Sequence, residues 1–422
     1  MTLRLPPVSA VRRGGVPRTY YGWRIVGVLA LTETVSWGIL YYSFSVFLAP
    51  MQRELGLSAA TVSGAFSVAL VVMGVTALPV GSWLDRHGAR GVMTSGSVLS
   101  AGAVAAWSQV RTVGQLYAVF AVLGVAAAMV LYEPAFAAVV RWFGRRRARA
   151  LLVVTVFAGF ASTIFVPTAA ALEASLGWRD ALLVLAGTLA VLTVVPHAVV
   201  LRRDPADLGL APDGAPTPAL PVQPAGLRQT GRAMWGERTF RWMTLAFALH
   251  TVAVVAVAVH LFPFLREQGH GVGFAAAVTG SLGALSVAGR LVVTGLFARL
   301  PMVRVTSAVF AGQAVAVAVL LLAPASATAA VVFVVLFGLG FGVGTIARPA
   351  LVVEAYGVAR YATVSALMGL ALAAAKALGP VATGAVRTWG GSYTPALVGL
   401  VVVCLASAVA LHAAGDAVPG QR

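Results

Sequence analysis

Two basic residues stand inside stretches apolar and long enough to cross a bilayer: Arg290 within 274–298 and Lys376 within 361–386. A Lys or Arg at the bilayer centre costs roughly 2.5–3.5 kcal/mol on insertion scales, so such residues usually face an aqueous cavity and mark a path for a polar solute. Arg290 falls about 12 Å from one end of its stretch at the helical rise. Gly283, Ser286 and Thr294 share its face, a small and polar stripe at helical spacing. Lys376 is the only lysine in the chain, near the middle of its stretch, and its neighbours at helical spacing include Gly369, Ala373, Gly379 and Thr383, with Leu372 the one bulky exception. Small neighbours leave room for a long basic side chain and a ligand. A guanidinium can grip a carboxylate with two hydrogen bonds, and an ammonium supplies a point charge for a second anionic group. The plainer alternative for either residue is a cation that snorkels to the interface or pairs with a buried carboxylate.

Glu33 lies roughly 14 Å into the first stretch, with Trp37 and Tyr41 on its face and Tyr42 beside them. It could carry a proton, balance Arg290 or Lys376 in an empty cavity, or be a static, neutral helix contact. Trp37, Tyr41 and Tyr42 are candidates to line a binding pocket, although aromatic residues also serve as ordinary packing. His250 is a second proton candidate against a packing histidine, and His260 sits nearer a helix end. Glu133, Arg348 and Glu354 lie near helix ends, where gating ion pairs and structural caps are both reasonable readings.

These residues need a scaffold, and composition limits what it can be. Hydrophobic residues make up 59% of the chain, 10% is charged, and the mean hydropathy is +0.91. A soluble domain carries about 25% charged residues, which excludes a water-exposed globule of this length. Apolar stretches of about 20 residues recur, and the two-residue alternation of a membrane barrel is absent, so the spanning elements are helices. The reading is an all-α polytopic membrane protein of twelve transmembrane helices in two six-helix bundles. It comprises a tail 1–23, a bundle 24–201, a mobile linker 202–240 rich in Pro, Gly and Arg, a second bundle 241–413 and a tail 414–422.

The net charge of +17 suits this layout, because 23 of the 29 arginines fall on one side of the assigned spans. By the positive-inside rule that side is the cytoplasm, which places both termini there. The same arginines account for the basic charge without nucleic acid. Residues 1–19 contain Arg and Pro with no long apolar core, and read as a cytoplasmic tail rather than a signal peptide. Arginine used in place of lysine points to a GC-rich bacterial genome, hence a bacterial plasma membrane. The single Cys404 allows no intramolecular disulfide and no Cys-rich metal site. No phosphate loop, zinc-spaced His/Cys cluster or Gly-x-Ser-x-Gly elbow occurs, so no metal, cofactor or enzyme chemistry is expected.

An internal repeat links the halves. Gly81-x-x-x-Asp85-Arg86-x-Gly88-x-Arg90 follows the second span, and Gly295-x-x-x-Arg299-x-x-x-x-Arg304 follows the eighth at an offset of 214. Glu133-Pro134 corresponds to Arg348-Pro349 at 215, and Gly144 to Gly357 at 213. In the first loop Gly81 and Gly88 would permit a tight turn, while Asp85 could accept from N–H groups at a helix start.

That loop resembles the signature between the second and third helices of the major facilitator superfamily, and the resemblance runs from Tyr20 to about Ala414. It implies that Gly81, Asp85, Arg86, Gly88 and Arg90 form a conformational latch, as against simple topological anchoring. Tyr21-Gly-Trp-Arg-Ile-Val26, Ala288-Gly-Arg290 and Ala374-Ala-Lys376-Ala-Leu are similar to the monocarboxylate-porter and oxalate:formate-antiporter group. In the antiporters an arginine in helix 8 and a lysine in helix 11 bind substrate carboxylates, and these match Arg290 and Lys376. The animal monocarboxylate carriers place an aspartate where Ser286 stands and a lysine about where Tyr41 stands, which favours the antiporter-like arrangement. The resemblance implies a secondary transporter of a small organic anion, by antiport or proton-coupled symport, with a single chain as its working unit in the lipid bilayer. The alternative is an exporter of amphipathic drugs or metabolites; the fifth span has Pro167 but lacks the Gly-Pro-Gly-Gly cluster of drug/proton antiporters.

Overall fold

The computed structural model describes residues 20–214, 234–297 and 299–416, and over these the chain is helical throughout its long segments. Twelve membrane-length helices follow one another. The first six are α1 (Tyr21–Leu55), α2 (Ala59–His87), α3 (Ala89–Trp107), α4 (Val113–Trp142), α5 (147–176) and α6 (178–200). The second six are α7 (Arg238–Glu267), α8 (Val272–Phe297), α9 (Met302–Leu322), α10 (327–356), α11 (358–390) and α12 (Thr394–Asp416).

By length and composition, 10 helical stretches could cross a membrane. One of them, Arg149–Val200, is α5 and α6 run together. Gly177 (φ 77°, ψ 163°) breaks it, in a region open to glycine alone. Gly357 takes the same conformation (φ 71°, ψ 167°) between α10 and α11. The least apolar span is α3, which carries Thr94, Ser95, Ser97 and Ser100. Its buried Ser97 reaches His197 of α6 at 2.8 Å, a polar contact that pairs these two helices. Gly144, the sequence counterpart of Gly357, has no positive φ, so that correspondence does not extend to conformation.

An even number of helices in each half returns Tyr20, residues 201–214 and Asp416 to one side, called here the terminal side. The start of the expected mobile linker is fastened to the first half. Asp213 accepts from the backbone N–H of Gly144 at 2.9 Å and from that of Arg145, Arg141 pairs with Asp204 at 3.6 Å, and Tyr20 donates to the Trp142 and Ala211 carbonyls. A carboxylate on two free N–H groups is a strong clasp, which Pro/Gly composition does not reveal. The later linker 215–233, the tail 1–19 and residues 417–422 lie outside the described residues.

In the signature loop the turn is made by Gly88 (φ 78°), where the Arg203 side chain lies against the missing Cβ. Gly81 does not take part in a tight turn: it lies inside α2, with nothing within 4 Å of a Cβ built on it. The helical hydrogen bonds simply continue past it until Gly88 ends them. Arg90 donates to the Ala198 carbonyl of α6 at 2.9 Å, Arg141 of α4 donates to the Leu84 carbonyl of α2 at 2.8 Å, and Arg86 is exposed. The Asp85 side chain lies outside the described residues.

The halves meet chiefly along two helix pairs on the far side, with the end of α1 against α7 as a third contact. In α2/α11, Gly384 packs on Ser63 and the Ala59 carbonyl, and the Ala60 N–H donates to Thr388 at 3.3 Å. In α5/α8, Ser162 and Thr163 donate to the Gly280 carbonyl at 3.1 and 2.8 Å, and the Ala284 N–H donates to Thr163 at 3.0 Å. These are close small-residue crossings of the kind that hold helices together in lipid. Toward the terminal side the pairs part. A Cβ on Gly74 would still meet Ala373 at 3.6 Å. One turn on along the same faces, Leu78 is 77% and Leu370 is 71% exposed. The molecule is closed on the far side and open toward the terminal side.

Gly384→Val would drive side-chain atoms into Ser63 and the Ala59 carbonyl, an overpacking that costs about 1–3 kcal/mol in the closed state alone. The expected outcome is faster labelling of a Ser67→Cys reporter, buried in the closed state, by a membrane-impermeant maleimide added to the far side, at unchanged protein yield.

Candidate functional site

The cleft that opens on the terminal side has charged groups midway along its walls, on helices whose regularity fails there. In α1 the α-helix widens into a π-turn over Gly38–Tyr42. Gly38 lies directly against the Phe165 side chain of α5, and Ser43 donates to the Gly38 carbonyl at 2.9 Å. The extra residue rotates the face, as π-turns at functional sites commonly do. Trp37 and Tyr41 therefore stay in contact (5.3 Å between ring centroids) while Tyr42 packs on Tyr41 at 5.1 Å and comes within electrostatic range of Arg290.

In α4 the helix breaks at Leu131 (φ −83°, ψ −162°). Pro134, three residues on, cannot donate to a carbonyl four back and its ring crowds that carbonyl, so the chain restarts a helix at Tyr132. Glu133 thus sits in the first turn of a half-helix, favourable for a carboxylate. In α10 the corresponding interruption falls at Gly342.

Arg290 projects from α8 against that second break. A Cβ on Gly342 would collide with Arg290 Nε and with the Ser286 hydroxyl. The guanidinium gives one long hydrogen bond, Nη1 to the Thr155 carbonyl at 3.4 Å, and its Nε is buried with no acceptor. Tyr42 and Tyr132 lie within its electrostatic range, and the Tyr132 ring packs at a tilt against Trp37, 5.0 Å between centroids. Lys376 of α11 is half-buried, with Glu133 across the cleft and Arg348 of α10 as its charged neighbours. Glu133 also acts on Glu33. Glu33 is 0% exposed; the Trp37 indole N–H is its one polar side-chain neighbour, close enough to act on the carboxyl but short of good hydrogen-bond geometry, and neither carboxyl oxygen has another partner among the described residues. Isolated in this way, a carboxylate costs several kcal/mol as an anion.

The structure therefore brings together Arg290, Lys376, Glu33, Trp37, Tyr41, Tyr42, Glu133 and Arg348, drawn from both halves. It leaves others apart. His250 packs on Phe310 (centroids 4.1 Å) and against Gly344, inside the second bundle. His260 bridges Tyr393 and the Pro380 carbonyl on the far side, and Glu354 lies toward the terminal side beside Met243 and Leu411. Sequence reading passed over Tyr132 and Gly342. The Glu133-Pro134 pair could have drawn attention to Tyr132, since a proline that breaks a helix exposes the residues around it; nothing local singles out Gly342. Among the described residues no group of three or more His, Cys, Asp or Glu could hold a metal ion.

Comparison with known proteins agrees with this architecture. Residues 29–380 match the family model described as Major Facilitator Superfamily. "Monocarboxylate transporter 11" of Mus musculus is 29% identical over 272 residues, 64% of this chain and 58% of that protein. The Homo sapiens protein of the same name is 29% identical over 67% of this chain and 58% of its own length. The match thus spans less than two thirds of either relative. Among solved structures, a bacterial homolog of the human lysosomal transporter Spinster, in an inward-facing and unoccupied conformation, superposes with a TM-score of 0.71 at 17% identity over 96% of both chains. The nucleoside transporter NupG (D323A mutant) gives 0.74 at 13% identity over 93% of this chain and 99% of that one.

Gly342→Ala should displace the Arg290 guanidinium, weakening binding of any anion held there by about tenfold, the scale of one charge-assisted hydrogen bond. Gly295→Ala in the same helix α8, where an added Cβ meets nothing within 4 Å, should be silent. Anion-dependent thermal shifts of the two purified variants check this.

Proposed function

Because the chain belongs to the Major Facilitator Superfamily, we propose that it is a secondary active transporter carrying a small organic anion, a mono- or dicarboxylate, by alternating access. One observation carries the reading: Arg290 has an unused, buried donor beside a cleft that also receives Lys376, the chain's single lysine. A carboxylate is the small ligand that matches a guanidinium in two hydrogen bonds and leaves a second charge for an ammonium. Similarity to monocarboxylate transporters supports the same class.

In the proposed cycle the anion enters the cleft and takes up Arg290 Nε–H and the Lys376 ammonium, with Trp37, Tyr41, Tyr42 and Tyr132 forming an aromatic wall. Binding relieves the mutual repulsion of Lys376 and Arg348 and competes with Glu133 for Lys376. The half-helices at Leu131 and Gly342 then allow the two bundles to rock about the site, as discontinuous helices do in other carriers. Glu33 is the proton-coupling group, a fully buried carboxyl in the first span with, among the described residues, no cation beside it and the Trp37 indole as its one polar side-chain neighbour. The loop Gly81–Arg90 acts as a latch through Asp85, Arg86, Gly88 and Arg90, and Glu133, Arg348 and Glu354 serve the gate. The positive-inside bias makes the terminal side cytoplasmic, in a bacterial plasma membrane, with a single chain as the working unit.

Arg290→Ala and Lys376→Ala are each expected to abolish uptake of radiolabelled carboxylate into proteoliposomes while the folded yield is kept; wild-type rates in both would overturn the anion site. A thermal-shift screen against mono- and dicarboxylates identifies the solute, since a ligand of the folded state raises its apparent stability by mass action. Glu33→Gln should retain solute exchange but lose stimulation by a pH gradient. An unchanged pH response in this variant would remove Glu33 from the coupling step.

A further inference from the structure

The far side of the molecule holds a second basic site, separate from the central cleft. Where the closed halves meet there, a cavity of about 420 Å³ is lined by Gln52 and Arg53 at the end of α1, Arg266 and Glu267 at the end of α7, and Arg387 at the end of α11, together with Tyr393. That volume accommodates a small ligand. Three arginines face one glutamate. Arg387 is clamped to Glu267 at 2.9 Å and lies over the Tyr393 ring at 5.5 Å. Tyr393 is 4% exposed and fixed from below. The Pro380 carbonyl can only accept, so His260 Nε2 carries the proton toward it at 2.9 Å, and His260 Nδ1 accepts from the Tyr393 hydroxyl at 3.1 Å. The wall on the second half is therefore rigid and committed.

The remaining positive charge is not. Arg266 donates to the His270 carbonyl, which does not neutralise it, and Arg53 has no ion pair among the described residues. Arg179, another arginine of this side, shows the contrast: Glu54 and the Ser108 and Val110 carbonyls occupy its guanidinium. Arg53 belongs to the first half, Arg266 and Arg387 to the second. Closing the far side thus brings like charges together across the joint, a repulsion that falls away when the halves separate.

We propose that this vestibule binds a small, doubly charged anion, a dicarboxylate or an inorganic dianion, held between Arg53 of one half and Arg266 of the other, with the Arg387–Glu267 pair as a fixed wall. Because its walls come from both halves, the site exists only while the far side is shut, and a bound dianion favours that conformation. The site is independent of Arg290 and Lys376.

The test uses the purified full chain carrying Arg290→Ala and Lys376→Ala, alongside the otherwise native chain, each with and without Arg53→Gln. Sulfate and succinate are the probes, and sodium chloride of equal ionic strength is the control. The expected result is a saturable rise in apparent melting temperature with sulfate, succinate or both that survives loss of Arg290 and Lys376. Arg53→Gln should then weaken that dependence about tenfold. Should the double variant not fold, the same tenfold loss in the otherwise native chain decides the matter, since Arg53 is exposed and removing it disturbs no partner. No saturable rise beyond chloride, or a rise that Arg53→Gln leaves unchanged, overturns the proposal. Failure of the central site registers separately, as unchanged flux in Arg290→Ala.

Discussion

A charged or hydrogen-bonding group inside hydrocarbon must find water or a partner, and that constraint organises this molecule. Twelve helices satisfy their own backbone. The charged side chains Glu33, Arg290 and Lys376 cannot do so within their own helices; Arg290 and Lys376 are half-buried at the cleft between the halves, and Glu33 is enclosed beside Trp37. The interruptions in α1, α4 and α10 fall at the same depth, where irregular backbone is shielded by protein or lines the cleft instead of meeting lipid.

The cleft is electrostatically unfinished. Arg290 has a buried donor without an acceptor, Glu133 faces both Lys376 and the like-charged Glu33, and Glu33 itself is fully buried with only the Trp37 indole near it. In a soluble core such groups would be a defect. Under the proposed function they are the places a solute and a proton would take, because a site saturated by its own residues would have no reason to exchange them. Small residues give the complementary property. Gly384 against Ala59 and Ser63, and Gly283 against Gly159, let backbones touch across the joint. Such contacts form or separate as a unit, which suits a protein with two conformations.

The terminal side and the far side use their charges differently. At the terminal side, Asp204, Asp213, Arg90 and Arg141 tie helix ends of the first half to one another and to residues 201–214, making that bundle a rigid body. At the far side, Arg53, Arg266 and Arg387 face each other across the joint between the halves. One set holds a half together; the other responds to whether the halves are together.

Much of this was open to reading from the order of residues. Hydropathy sets the number and length of spans because bilayer thickness is a fixed ruler, and arginine bias sets their expected orientation. The resemblance carried by Gly81–Arg90 led to the superfamily that the match over 29–380 bears out. Arg290 and Lys376 were conspicuous because a cation in an apolar span has few innocent explanations. Other features depend on contacts distant in sequence. Gly342 matters because Arg290, 52 positions earlier by residue number, lies where its Cβ would be. Tyr42 joins Tyr41 at the cleft because a π-turn adds a residue to α1, which helical periodicity cannot anticipate. Gly81, read as part of a turn, continues a helix; the linker read as mobile begins with a clasp whose partners are 69 and 68 positions away. Spacing along a chain determines which side chains share a helix face. Which faces meet, and which charges are left without a partner when they do, was decided by the packing of the two halves.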